Sequence, residues 1–144
     1  MGAVITFDQM FDYLSDFFET VEWSNSTLIE VGNTLIQRIA FDSNFDNNKY
    51  TKHLYDQRKT VPAMLNALYT LVQFHTDIEA CLDYTSIIPY INTYNEECTD
   101  QILYLLACTG NMKYMELIEK EAERFPNIPR EEYRTELKYR AEKL

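Results

Sequence analysis

Apolar residues in this chain recur at helical spacing, and the residues that make tight turns are scarce. The 144 residues include only three glycines and four prolines. A β-protein of this length needs many tight turns, which are built largely from Gly, Pro and short polar residues. Helices need few such residues, so the sequence predicts an all-α fold.

The clearest amphipathic pattern covers residues 7–21. Apolar side chains follow one another there at intervals of three and four residues, while the opposite face is acidic. Thr6 and Gln9 form a capping box at its start. The apolar positions are Phe7, Met10, Phe11, Leu14, Phe17, Phe18 and Val21.

Shorter helices follow, with tight connections. A Thr27–Glu30 capping box precedes the second, a Pro62 in the first turn opens another, and Thr76 with Glu79 marks a new helix or a kink. Gly110 should end one helix in the left-handed conformation, and Asn111 should cap the next. The predicted helices cover about 27–41, 49–59, 61–75, 86–94, 97–108, 112–125 and 129–144, with a loop over 42–48.

The helix starts indicate how these elements could be arranged. Starts near residues 61, 77, 98 and 111 suggest two successive antiparallel pairs about 35 residues apart, a spacing close to that of helical-repeat solenoids. No residue pattern recurs between the units. The prediction is therefore a single domain over 1–144, either an irregular HEAT-like (α-solenoid-like) stack of helix pairs or a compact helical bundle.

Charge is distributed unevenly along the chain, whose formal net charge is −10. Residues 113–144 hold eight acidic and eight basic residues, and residues 1–59 hold nine and five. Residues 60–112 hold six acidic residues and no Lys or Arg, and we call this segment the base-free stretch. Nucleic-acid binders need a basic surface, so the balance argues against nucleic acid and anionic membranes and favours a basic protein partner.

Motifs for catalysis or cofactor binding are not found in the sequence. It has no GxSxG elbow, no ExxH pair and no Gly-rich phosphate loop. The two histidines, His53 and His75, do not form a metal-ligand pattern with nearby acids. The three cysteines form no CxxC pair and suggest reduced thiols in a cytoplasmic protein. We therefore expect a cytoplasmic protein that is not an enzyme and needs no cofactor.

Aromatic and acidic residues alternate in the base-free stretch. Its tyrosines include Tyr84, Tyr90, Tyr94 and Tyr104, which could be interface anchors or half-buried core residues. Carboxylates beside such anchors suit Lys and Arg on a partner. The predicted partner-binding residues are Asp77, Glu79, Asp83, Tyr84, Tyr94, Glu96, Glu97 and Asp100.

In its general features, the chain resembles bacterial toxin-immunity proteins, including those of contact-dependent growth inhibition systems with nuclease toxins. The resemblance lies in size, acidity, cysteine use, aromatic content and a helical pattern such as TDQILYLLACTGNMKYMELIEKEAERFPN at residues 99–127. It implies an inhibitor that covers a basic nuclease cleft with acidic and aromatic side chains. Two other readings stay open: a helical scaffold or adaptor that binds a peptide or partner helix, and an enzyme with an unrecognised carboxylate site.

Overall fold

The computed structural model describes residues 23–43 and 57–144, which form helices joined by short turns. This confirms the all-α prediction for that part of the chain. The predicted helix 7–21 with its Thr6–Gln9 box, and most of the predicted loop 42–48 and helix 49–59, lie outside the described residues. The α-helices are α1 (Asn25–Ser43), α2 (Gln57–Phe74), α3 (Glu96–Cys108), α4 (Met115–Arg124) and α5 (Arg130–Glu142). Three 3-10 helices cover Thr76–Cys81, Thr85–Thr93 and Met112–Tyr114.

Two helix starts differ from their predicted positions. The hydroxyl of Ser24 accepts the backbone N–H of Thr27 at 3.3 Å, so Ser24 caps α1 and the predicted Thr27–Glu30 box is wrong. Helix α2 begins five residues before Pro62 rather than at it. A proline removes one hydrogen-bond donor, and one turn inside a helix that loss is small compared with the packing of the apolar face.

The predicted Thr76–Glu79 capping box is also wrong. A 3-10 helix does begin at Thr76, but the residue at its N-cap position is His75, whose side chain makes no capping hydrogen bond. The Glu79 carboxylate is instead buried and forms an ion pair with Arg140 of α5. A charged partner outcompetes a backbone N–H for a buried carboxylate because ion pairing offsets more of its desolvation.

The C-terminal end of α3 is as the sequence predicts, whereas the cap at its N-terminal end was not predicted. Gly110 has a φ of 67° after the last turn, and Asn111 accepts the N–H of Lys113 at 3.1 Å, both as predicted. Asn95, which the sequence reading passed over, caps the start by accepting the N–H of Cys98 at 2.9 Å. Apolar residues on two sides of the predicted helix 97–108 indicate a central, buried helix, and eight of the thirteen residues of α3 are buried.

The segment 76–94 runs alongside α1 in the same direction. Asn25 donates to Asp77, Asn33 accepts from the N–H of Asp83, and Ser43 bonds Tyr94, so the sequence offset stays between 50 and 52 residues. Helices α2, α3 and α5 also run parallel to one another: Asn66 and Gln73 pair with Gln101 and Tyr104. Asp100 accepts from Tyr133 of α5, at the same end of both helices.

These contacts arrange the described helices in two layers. One layer holds α1, the 3-10 segment 76–93 and α4, and the other holds α2, α3 and α5, with neighbours in contact within and between layers. The apolar faces of both layers meet in a single core that includes Ile36, Leu68, Ile102 and Leu137, all fully buried.

Candidate protein-binding surface

Three of the eight predicted partner-binding residues lie inside the protein. Glu79, Tyr84 and Tyr94 expose 3%, 1% and 8% of their surface, respectively. Glu79 pairs with Arg140 and Tyr94 bonds Ser43, and with so little exposed surface none of the three residues presents a contact group to a partner. This corrects the prediction for those three residues: their aromatic rings and carboxylate belong to the core and not to the surface.

The two buried tyrosines join α1 and the 3-10 segment to the core. Because the Ser43 hydroxyl donates to the carbonyl of Ile39, the Tyr94 hydroxyl donates to Ser43 Oγ, at 2.6 Å. Burial raises the pKa of Tyr94 to about 12 and raises the pKa of Tyr84 further. Both phenols therefore stay neutral at physiological pH and act as packing residues.

Four predicted acids are exposed: Asp77, Asp83, Glu96 and Glu97. Asp77 Oδ2 accepts from Asn25, and Asp83 Oδ1 accepts both the hydroxyl and the N–H of Thr85. The Thr85 hydrogen bonds hold the pKa of Asp83 below its usual value. All four carboxylates lie at the surface, where a basic partner can reach them.

Asp100 is partly buried, because it lies against α5. The hydroxyl of Tyr133 donates to Asp100 Oδ1. Burial and this hydrogen bond raise the pKa of Tyr133. One carboxylate oxygen of Asp100 is therefore committed to the α3–α5 contact, while Oδ2 has no hydrogen bond among the described residues.

The exposed acids do not form one compact patch. Asp77 lies beside Asn25, at the start of α1, and Asp83 lies beside Asn33, in its middle. Glu96 and Glu97 follow shortly after Tyr94, which lies beside Ser43 at the end of α1. Eighteen residues of helix separate Asn25 from Ser43, which corresponds to about 27 Å. A partner that contacts all four acids must therefore extend along the length of this layer.

A second polar surface crosses the other layer, and its tyrosines form a line. The ring centroids of Tyr69 and Tyr104 lie 5.3 Å apart, and those of Tyr104 and Tyr133 lie 6.1 Å apart. Each ring comes from a different helix, namely α2, α3 and α5 in that order. We call these three tyrosines, with the amides of Asn66, Gln73 and Gln101, the tyrosine face.

Hydrogen bonds fix the side chains of the tyrosine face. Gln73 Nε2 donates to the Tyr104 hydroxyl at 2.7 Å, and Gln101 Nε2 donates to Asn66 Oδ1 at 3.1 Å. Tyr69 is 40% exposed, Tyr104 is half-buried and Tyr133 is buried. Tyr104 and the three amides are thus held in place before any partner arrives, and the Tyr69 ring packs against Tyr104.

The sequence carried a signal for this surface. Asn66, Tyr69, Thr70 and Gln73 recur at intervals of three and four residues, opposite the apolar stripe of α2. Such an uncharged polar stripe in the base-free stretch marks an exposed helix face. Sequence analysis named Tyr104 among the stretch's tyrosines but not among the binding residues, and it missed Tyr69.

No cluster of acids resembling a catalytic site appears among the described residues. Burial raises the pKa of Asp42, against the opposing effect of Arg38, while the pKa of Asp83 is lowered. Asp83 lies beside Asn33 of α1, and Asp42 lies nine residues beyond Asn33 on the same helix, which corresponds to about 13 Å. The two acids are therefore far apart. The same residues contain no group of three His, Cys, Asp or Glu side chains that could hold a metal ion.

The comparisons with known proteins add no relative. No family model, curated protein or solved structure matches this chain. Within the described ranges, no helix combines the length and apolar character needed to cross a bilayer.

Proposed function

We propose that this chain binds a basic protein and inhibits it. In the specific form implied by the resemblance to immunity proteins, it neutralises a cognate toxin, a basic nuclease, by covering the toxin's active site. The protein acts in the bacterial cytoplasm in this proposal, without a cofactor and without catalysis of its own.

One contrast in ion pairing carries the proposal. Residues 113–144 hold eight acids and eight bases, and four of those acids, Glu119, Glu121, Glu131 and Glu136, pair with arginines of the same segment. In the base-free stretch, Asp77, Asp83, Glu96 and Glu97 are exposed, and none of them forms an ion pair with a described residue. Unpaired exposed carboxylates create a field that speeds the approach of a basic protein and disfavours acidic ones.

The test is association with a basic partner at low and high salt. The partner is sought first as the product of the gene adjacent to this one and is assayed for relief of its toxicity. We expect one-to-one binding that weakens with salt, because exposed charge pairs are screened.

A matched pair of triple variants separates this surface from net charge. Asp83, Glu96 and Glu97 changed to Lys should slow association at least about tenfold. Glu116, Glu123 and Glu142 are also exposed and lie in the charge-balanced segment 113–144. Their change to Lys alters net charge by the same amount and should have less than about a third of that effect. Melting temperatures check that each variant remains folded.

Two outcomes would contradict the proposal. Equal effects of both triple variants would mean that only net charge matters. Capture of only salt-insensitive apolar partners, with no basic protein neutralised, would favour a helical scaffold or adaptor that binds a peptide or partner helix.

A further inference from the structure

Tyr69 and Tyr104 are the two rings of the tyrosine face that are not fully buried, and no base among the described residues lies over either ring. Four other aromatic rings of the described chain are covered by a base: Lys143 lies 4.3 Å from the Tyr139 centroid, and Arg124 lies 4.4 Å from that of Phe125. Lys113 and Arg38 cover Tyr114 and Phe41 similarly. Among the described residues, no such base lies over Tyr69 or Tyr104.

The reason is visible in the sequence. Helix α3 contains no Lys or Arg, and neither does α2 after Lys59. Tyr133 lies on α5, which carries bases, but is buried; Tyr69 and Tyr104 lie on segments of α2 and α3 that contain no positive charge. Glu97 precedes Gln101 by one helical turn on the same side of α3, and Asp100 approaches Tyr133. The charges nearest the rings on α2 and α3 are negative.

We propose that the tyrosine face binds arginine side chains from an extended segment of a partner protein. The proposal rests on the proposed function in one respect, namely that the partner is a basic protein, and it assigns that partner's aromatic contacts. A guanidinium stacks flat on a tyrosine ring while its N–H groups point outward at the ring edge. There the carboxylates of Glu97 and Asp100 provide acceptors of the required charge.

Arginine suits this surface better than lysine for geometric reasons. A lysine ammonium is a compact, strongly hydrated charge that loses more solvation when it approaches a ring. The guanidinium is planar, more weakly hydrated and able to use two acceptors at once. Because Tyr104 and the amides are already held by hydrogen bonds, these side chains lose little entropy on binding.

Defined peptides test the proposal on the full chain. One peptide carries three arginines separated by glycine and serine, and a second replaces each arginine by lysine. In a titration followed by backbone amide resonances, we expect the arginine peptide to shift Tyr69, Gln73, Gln101 and Tyr104. It should bind at least about fivefold more tightly than the lysine peptide.

Three single variants locate the preference. Tyr69→Ala should abolish the difference between the two peptides, and Tyr69→Phe should retain it, because the ring face is kept. Tyr139→Ala is the matched control: Tyr139 is 51% exposed but lies under Lys143 of its own helix. It should leave the arginine preference unchanged. Circular dichroism checks that all three variants keep the fold.

The outcomes distinguish this proposal from the proposed function. Equal affinity for both peptides, or an arginine preference that survives Tyr69→Ala, overturns the arginine site. If the charge-reversal variants still slow association with a basic partner, the proposed function then stands alone. If the arginine preference depends on Tyr69 but no basic protein is inhibited, the site stands and the inhibitor function fails.

Discussion

At Gly110 the chain leaves α3 and turns toward the next layer, with a φ of 67°. Two constraints act on this one residue. L-residues with a side chain rarely adopt a positive φ, and a Cβ there would lie 2.8 Å from the carbonyl carbon of Arg140 and 2.9 Å from its oxygen. The obstacle is backbone, which cannot move without shifting α5.

Gly110→Ala should therefore lower the free energy of unfolding by about 2–4 kcal/mol, through backbone strain and overpacking together. Gly32→Ala is the comparison. A Cβ at Gly32 would lie 2.6 Å from Leu82 Cδ2, which is the end of a side chain, and alanine favours the helix by about 1 kcal/mol. We expect a smaller loss there, measured by urea denaturation of both variants. A larger loss at Gly32 would mean that side-chain packing outweighs the turn.

At the scale of elements, Arg124 joins the end of α4 to the segment before α3. Its guanidinium donates to the carbonyls of Asn92, Ile91 and Tyr94, at 3.0, 3.2 and 3.4 Å. Its Nε lies 3.0 Å from a carboxylate oxygen of Glu121, a buried residue. One side chain thus satisfies the last carbonyls of a 3-10 helix and neutralises a buried acid.

Arg124→Lys should reduce stability by about 1–2 kcal/mol, because an ammonium cannot bond several carbonyls and the carboxylate at once. Arg124→Ala should cost about 3–5 kcal/mol, since Glu121 would be left buried without a partner. Arg134→Lys is the control, because the side chains of its partners Glu119 and Glu131 are 42% and 77% exposed, and such pairs contribute about 0–1 kcal/mol. Equal losses in the two lysine variants would show that Arg124 is no more than a surface pair.

At the scale of the whole molecule, several buried thiols and phenols have pKa values above their usual range. Burial raises the pKa of Cys98 and of Cys108 to about 11, from 9.0, and that of Tyr94 to about 12, from 10.0. Burial also raises the pKa of Tyr84 and Tyr104. The folded state thus holds protons that the unfolded chain releases at lower pH.

Stability should therefore decrease at alkaline pH. Below about pH 9 these thiols and phenols are protonated in both the folded and the unfolded state, and their contribution to stability is fully present. Between about pH 9 and 12 they ionise first in the unfolded state, so the free energy of unfolding falls. Urea midpoints under reducing conditions should agree from pH 7 to 8.5 and then drop clearly by about pH 10.5. An unchanged midpoint there would show that the buried thiols and phenols do not govern the transition.

The local features that the sequence predicted correctly are those set by neighbouring residues. The Gly110 turn, the Asn111 cap and the buried character of α3 depend on the intrinsic conformation of glycine, on an adjacent amide and on apolar spacing. The Thr76–Glu79 box failed because Glu79 pairs with Arg140, 61 residues away. Capping motifs are read from neighbours alone, and so they cannot account for such a competitor.

The candidate site divides in the same way. Charge counting placed four exposed acids correctly on the surface, because isolated carboxylates stay in water. It could not separate Tyr84, which is buried, from Tyr69, which is exposed, since a tyrosine suits either environment. The HEAT-like regularity, the immunity function and the basic partner stay predictions.

The sequence by itself determined the helical class, several helix ends and the absence of bases from residues 60–112, because these depend on composition and short-range spacing. The tertiary structure decided that segment 76–94 runs parallel to α1, and that Tyr69, Tyr104 and Tyr133 from three helices form one face. The reason is physical: those residues meet only when separate helices pack, and which helices pack together depends on how all their apolar faces are buried at once.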